Sequence, residues 1–267
     1  MLPIIKWELS QRKMAILWWS VSAVVLVTVL MLVYPSIRDQ AEQLNKVLNQ
    51  LPSGLRQLKT GGTNVDVASP VGYLNSQLYY ATLPIVLIIL AIQRGSGLIG
   101  KDEQDHTIEL LLARPVRRSV LLLGKAISGL LEVLAVTAVV TLAILGLAKL
   151  VKMDIGTSRV LITSLYTFAF CASFGAIAFA LTAADRLTKR ASTAIAILLS
   201  FGGYILASLQ NLSHYMKTPA KFAPYHYFVP DKTLQGQGVT GLNIYLIGIF
   251  IITIVLAYTS FRSRDIE

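Results

Sequence analysis

Charge is what this sequence has least of. Only 14% of its 267 residues are Asp, Glu, Lys or Arg, against 54% hydrophobic, where a soluble domain carries roughly 25% charged residues. That scarcity, with a mean hydropathy of +0.63, excludes an ordinary water-soluble globule and points to a membrane protein. Cysteine is nearly absent. The single Cys171 lies inside an apolar run, so an intramolecular disulfide is impossible and a thiolate metal cluster is not expected. The three histidines all fall outside the apolar segments, and no His-Glu-x-x-His occurs. A zinc hydrolase therefore lacks its ligands. Acids are outnumbered by bases, 14 against 24, for a net charge of +10. In so apolar a chain the excess reads as Lys and Arg flanking membrane spans rather than as a nucleic-acid surface.

One further absence decides a tempting motif. Gly95-Ser96-Gly97-Leu98-Ile99-Gly100-Lys101-Asp102 approaches the phosphate-binding pattern G-x-x-x-x-G-K-[ST], but the final hydroxyl, which ligates Mg²⁺, is missing. Asp102 stands there with Glu103 beside it, and two carboxylates repel a phosphate. A phosphate loop also follows a short buried strand. No later run of four apolar residues ends in a metal-binding Asp, since Ala178 to Asp185 is interrupted by Thr182. No nucleotide, metal or other cofactor is expected on this chain.

Present instead are long apolar runs. A bilayer core of ~30 Å needs ~20 helical residues, and spans are expected at about 14–34, 79–98, 119–149, 158–184, 191–210 and 241–260. The first has the charged start of a signal peptide, but it is too long and no small-x-small cleavage site follows, so it reads as retained. The expected fold is an all-α polytopic membrane protein with six spans in one domain, 1–267. Six spans put both termini on one side. Tight basic clusters, such as Arg186-Leu187-Thr188-Lys189-Arg190, fall on the terminal side, which places the termini in the cytoplasm; Lys149, Lys152 and Arg159 lie on the other side. The extracytoplasmic loop 35–78 is expected to hold an amphipathic helix, because Ile37, Ala41, Leu44, Val47, Leu48 and Leu51 recur at helical spacing before Pro52-Ser53-Gly54. Residues 211–240, rich in aromatics and proline, read as short interfacial or re-entrant helices, with His214 and His226 as interfacial residues rather than metal ligands.

The loop 99–118 carries the most information. On a helix Asp102, Asp105 and Glu109 share one face, and Ile108, Leu111 and Leu112 form a separate apolar stripe. Pro115 stops the helix, and Arg114, Arg117 and Arg118 follow. Lipid-surface helices carry Lys and Arg on the polar face; an acidic face favours a protein partner. The pattern Glu103, then Thr107-Ile108-Glu109-Leu110-Leu111-Leu112-Ala113-Arg114-Pro115, with Gly124-Lys125 further on, resembles the permease subunits of ABC-2 type ATP-binding-cassette exporters. Ser69 to Gln77 before Leu83-Pro84, and Ala223 to Phe228, are similar to further parts of that family. One departure is His106, where the family commonly has Gly.

The resemblance implies a six-span permease of the cell membrane that works as a homodimer or heterodimer and performs no catalysis itself. A separate cytoplasmic ATPase would dock on the 99–118 loop as a coupling helix, through Glu103, Thr107, Ile108, Glu109, Leu111, Leu112, Arg114 and Pro115. Leu2 to Lys13 would be an N-terminal interface helix, with Lys6, Glu8, Arg12 and Lys13 on its polar side. Gly95, Gly97 and Gly100 would then permit the turn out of the membrane. A membrane-embedded enzyme is the first alternative, disfavoured because no Ser–His, paired-Asp or zinc constellation lies at membrane depth. A non-transporting scaffold or sensor is the second. Glu132 is the one acid deep in a span. With Lys125, Ser128 and Gly129 it forms a polar stripe that should face protein or water. It reads either as a structural acid bonded to a neighbouring helix or as a lining residue of the translocation path. The small residues Ala172, Gly175, Ala176 and Ala180 read as close packing within the subunit, with a dimer seam as the other option.

Overall fold

A computed structural model describes residues 1–40, 68–104, 118–184, 188–210 and 214–262. Among the described residues the regular structure is entirely helical, and six helices are long and apolar enough to cross a membrane. In chain order these spans are α1 (Leu2–Asp39), α3 (Thr82–Gln104), α4 (Arg118–Leu150), α5 (Thr157–Ala183), α6 (Lys189–Leu209) and α9 (Thr240–Arg262). Shorter elements are α2 (Pro70–Tyr73), which runs into a π-helical stretch (Leu74–Tyr79), then α7 (His214–Ala220), a 3₁₀ turn (Pro224–His226) and α8 (Pro230–Leu234).

Span α5 is the hub. It packs most extensively on α3, and also on α4, α6 and α9, while α1 lies along α4. The α3–α5 contact is as close as backbones allow. A Cβ on Gly95 would lie 2.0 Å from the Gly175 carbonyl oxygen, and one on Gly175 would lie 2.7 Å from that of Ala91. Lipid tails are as apolar as leucine, so burial alone gives two spans little reason to associate. Backbone-to-backbone packing across small residues supplies the attraction instead, and it places the small-residue face of α5 inside the subunit.

Two sequence expectations change here. Residues 2–13 are not a separate interface helix, because α1 runs unbroken for 38 residues. Pro3 sits in the first turn, where its missing N–H costs nothing, and no Gly or Pro interrupts the chain before Pro35. Gly95, Gly97 and Gly100 do not make a turn, since α3 stays helical through all three to Gln104. Gly95 is instead a packing residue, and a Cβ on Gly100 would press to 2.8 Å from the Lys189 side chain. The helical backbone also means that the near-P-loop forms no phosphate cradle. Finally, the second span has an irregular entry. Ser69 caps α2 by accepting the Gly72 N–H at 3.1 Å, and the wider π turn follows, with Tyr80 N–H bonded to the Asn75 carbonyl at 2.9 Å. Pro84 lies just beyond; it has no N–H to give and its ring crowds the carbonyl four residues back, on Tyr80.

The buried stripe of α1, Ser20, Ala23, Val27, Met31 and Tyr34, recurs at three- and four-residue intervals. Met14, Leu17, Trp18, Val21, Val25 and Leu32 face outward. At the end of the bundle remote from both termini, aromatics close the structure. Phe170 stacks on Phe228 with centroids 4.2 Å apart, and Tyr225 meets Phe170 edge-on at 4.8 Å. Tyr79 shares a 2.8 Å hydrogen bond with Ser164, and Tyr80 one of the same length with Ser208. The aromatic segment 214–234 thus forms short helices seated on the remote halves of α5 and α6, reaching Phe170 at the middle of α5. The amphipathic helix expected from Ile37 to Leu51 falls mainly on 41–51, outside the described residues.

Candidate functional site

The stripe on α4 finds its partners on α1 and α3. Lys125, Ser128 and Glu132 are all buried, and Glu132 has no exposed surface. A Cβ on Gly129 would come within 2.9 Å of Leu98 Cδ1, which brings α3 close at the same level. From α1, Glu8 and Arg12 point inward one helical turn apart, and Arg94 comes from α3. The charges then alternate along one line. Lys125 Nζ lies 2.9 Å from Glu8 Oε1, and Glu8 Oε2 accepts from the Arg94 guanidinium at 2.7 Å. Arg94 Nε lies 2.9 Å from Glu132 Oε2, while Glu132 Oε1 accepts from Arg12 at 3.3 Å. The Arg94 Nε–Glu132 contact is an ion pair without hydrogen-bond alignment. Lys125 also donates to the Leu98 carbonyl at 2.8 Å.

Three cations therefore meet two carboxylates, and the line ends at Arg12, the most exposed member, with 29% of its side-chain surface open. Taking such charges out of water costs several kcal/mol per ion, and only close pairing offsets that cost. The cluster makes α1, α3 and α4 interdependent, because moving one of them strands a charge. Among the described residues no group of three or more His, Cys, Asp or Glu is placed to hold a metal.

Sequence reasoning singled out Glu132 but not its partners. A signal was available. Arg94 interrupts the expected span 79–98 and needs an acid nearby, and Glu8 and Arg12 sit at i and i+4 on one face of α1. Of the residues assigned to ATPase coupling, Thr107, Ile108, Glu109, Leu111, Leu112, Arg114 and Pro115 lie outside the described residues. Glu103 lies in the last turn of α3, and its side chain is not described. The structure does fix where the loop leaves and returns. It joins Gln104 of α3 to Arg118 of α4, the two helices that the ion cluster ties together.

Behind Arg94 the bundle is lined mainly by apolar side chains. A groove of about 220 Å³ runs between α3, α4, α5 and α9, lined by Arg94, Gly95, Gly129, Gly175 and Phe179 among others. Apart from Arg94 its walls carry no charged group. Among the described residues, six apolar helices surround the buried ion pairs. A model of the family described as "ABC-2 family transporter protein" matches residues 2–266, nearly the whole chain.

The chain belongs to the ABC-2 transporter family. Neither the curated proteins nor the solved structures contain a significant match to it. Family membership makes this ABC-2 protein a multi-pass membrane protein and a transport permease, and subunits of that kind are generally not catalytic.

Proposed function

We propose that this ABC-2 protein is the membrane-spanning subunit of an ATP-driven exporter in the cell membrane. Two permease subunits form the path, both termini are cytoplasmic, and a separate cytoplasmic ATPase acts on the 99–118 loop. One observation carries the reading. The helices that enter and leave this loop are tied to each other and to α1 by buried charges: Arg94 lies ten residues before the end of α3, and Lys125 lies seven after the start of α4. A force applied to the loop would move three spans as one body. In this reading the apolar stripe Ile108, Leu111 and Leu112 rests on the ATPase, and Glu103, Thr107, Glu109, Arg114 and Pro115 frame it. The pairing of both Glu132 oxygens with guanidinium groups favours a clamp over a lining residue of the path.

Two experiments test this. Replacing both Leu111 and Leu112 by Asp puts carboxylates into an apolar contact, where an unpaired charge is strongly unfavourable. The variant is expected to insert normally but to lose the ATPase on co-purification and to stop transporting. Retained ATPase with full transport would remove the coupling assignment. For orientation, a Cys at Gly238 is expected to react with an impermeant thiol reagent in intact cells, and one at Thr188 is not. The native Cys171 is buried and gives no background. The opposite labelling would invert the topology and move the loop away from the cytoplasm.

A further inference from the structure

The end remote from the termini contains a second buried charge. Asp231 lies in the first turn of α8 with 6% of its surface exposed. Its carboxyl group accepts the Lys232 backbone N–H, but Oδ1 is buried and has no hydrogen-bond partner. Asp231 lines a cavity of about 30 Å³ together with Asn75, Tyr80, Gln210, Tyr225 and His226. A single water needs ~10–15 Å³ on that measure, so the space admits an ion with one or two waters and excludes an organic substrate. Gln210 Oε1 lies 2.7 Å from His226 Nδ1, which leaves the amide oxygen a second lone pair. The rings of Tyr80 and Tyr225, 6.4 Å apart and nearly perpendicular, form part of the wall.

Burying a carboxylate oxygen without a partner is costly; the Lys232 backbone N–H and charge offset part of that cost, and the cavity that Asp231 lines can supply the rest. Lys232 on the same helix is exposed, though its charge acts on the carboxyl, the Arg159 guanidinium lies by Gly236, and Lys221 lies near His226. We propose that this cavity binds one monovalent alkali cation, Na⁺ or K⁺, through the Asp231 carboxylate, the amide oxygens of Asn75 and Gln210, and the faces of the two tyrosine rings. The donor chemistry selects the class. The donors are hard oxygens carrying a single negative charge, whereas Ca²⁺ takes 6–8 oxygen ligands and generally several carboxylates. Aromatic faces attract a cation further. Burial also pushes the Asp231 carboxyl above its ordinary value, against the pull of Lys232. The site joins the π-helical entry of α3, the end of α6 and helix α8, and it is independent of the transport reading.

The test is thermal unfolding of the full-length protein in lipid nanodiscs at constant chloride, with Na⁺ or K⁺ titrated against N-methyl-D-glucamine. The wild type is expected to gain about 2–4 °C in Tm, saturably, in one alkali ion. Asp231→Asn should show no response and unfold at the same temperature in every salt. Asn75→Asp adds a second carboxylate and should make stability respond to Ca²⁺, so it decides the matter even if Asp231→Asn fails to fold. An identical wild-type Tm in all three salts overturns the proposal. So does an alkali response that survives in Asp231→Asn, an Asn75→Asp variant indifferent to Ca²⁺, or a gain on acidification with no alkali dependence, which would assign the site to a proton.

Discussion

The two ends of the bundle are held by different physics. The end near the termini relies on formal charge: Lys125, Glu8, Arg94, Glu132 and Arg12 alternate in one line through α1, α3 and α4. The remote end relies on stacked rings and hydroxyl pairs: Phe170 on Phe228, Tyr225 beside both, and Tyr79 and Tyr80 bonded to Ser164 and Ser208. An ion pair is all-or-none, because removing one member leaves its partner charged and buried. A ring contact weakens in small steps, because each atom pair contributes only ~0.1–0.2 kcal/mol. A bundle built this way has one end that switches and one end that yields gradually.

Substitutions at each end can break or sharpen this contrast. The largest effect is expected where the two ends depend on a common element, the α3–α5 seam. Gly175→Leu places a branched side chain where a Cβ already meets the Ala91 carbonyl at 2.7 Å. The variant should give no monodisperse peak on detergent size exclusion, and a normal yield would show that the helices can separate. Glu132→Gln comes next. It leaves Arg94 and Arg12 without their shared acid and should destabilise by about 3–5 kcal/mol, read as a large fall in Tm and in expression. Wild-type stability would mean that the cluster is not a clamp. The double variant Glu132→Gln with Arg94→Gln should recover part of the loss, and simple additivity of the two would deny the coupling. Phe228→Leu keeps the apolar bulk and loses the stack on Phe170, for about 0.5–1.5 kcal/mol. Tyr80→Phe is the mildest, at about 1 kcal/mol for one hydroxyl pair. If either change at the remote end matched Glu132→Gln, the contrast between the ends would fail.

The sequence made some of this legible and hid the rest for physical reasons. Helix limits were readable from the extent of the apolar runs: helices α4, α5, α6 and α9 begin and end within about two residues of expectation. That Lys125, Ser128 and Glu132 would face protein was readable as well, from helical spacing and the cost of placing charge against lipid. What they face was not readable. Glu8 lies more than a hundred residues from Lys125, and it belongs to a segment whose mixed polar and apolar residues look like an interface helix. Only the close approach of three helices turns a polar face into a buried one. The glycines at 95 and 100 show the same limit. A glycine near the end of an apolar run looks like a turn, yet Gly95 exists for its neighbour on α5, eighty residues away. Asp231 gave no warning, since an acid among aromatics in a connecting segment has no periodicity to interrupt.

The unbroken length of α1 has one mechanical consequence. Glu8 and Arg12 tie its beginning to α3 and α4, and near its other end the Leu30 carbonyl accepts the hydroxyl of Tyr73, whose ring lies 5.0 Å from that of Tyr34. The two anchor points are 22 residues apart on one helix, or ~33 Å at 1.5 Å per residue. Such a rod behaves as a lever with a pin at each end. A tilt of ~10° about the charged pin would carry the other by ~6 Å, well beyond the ~3 Å reach of a hydrogen bond. The helix can therefore pivot only by releasing one pin, and the pin without formal charge is the cheaper one to release.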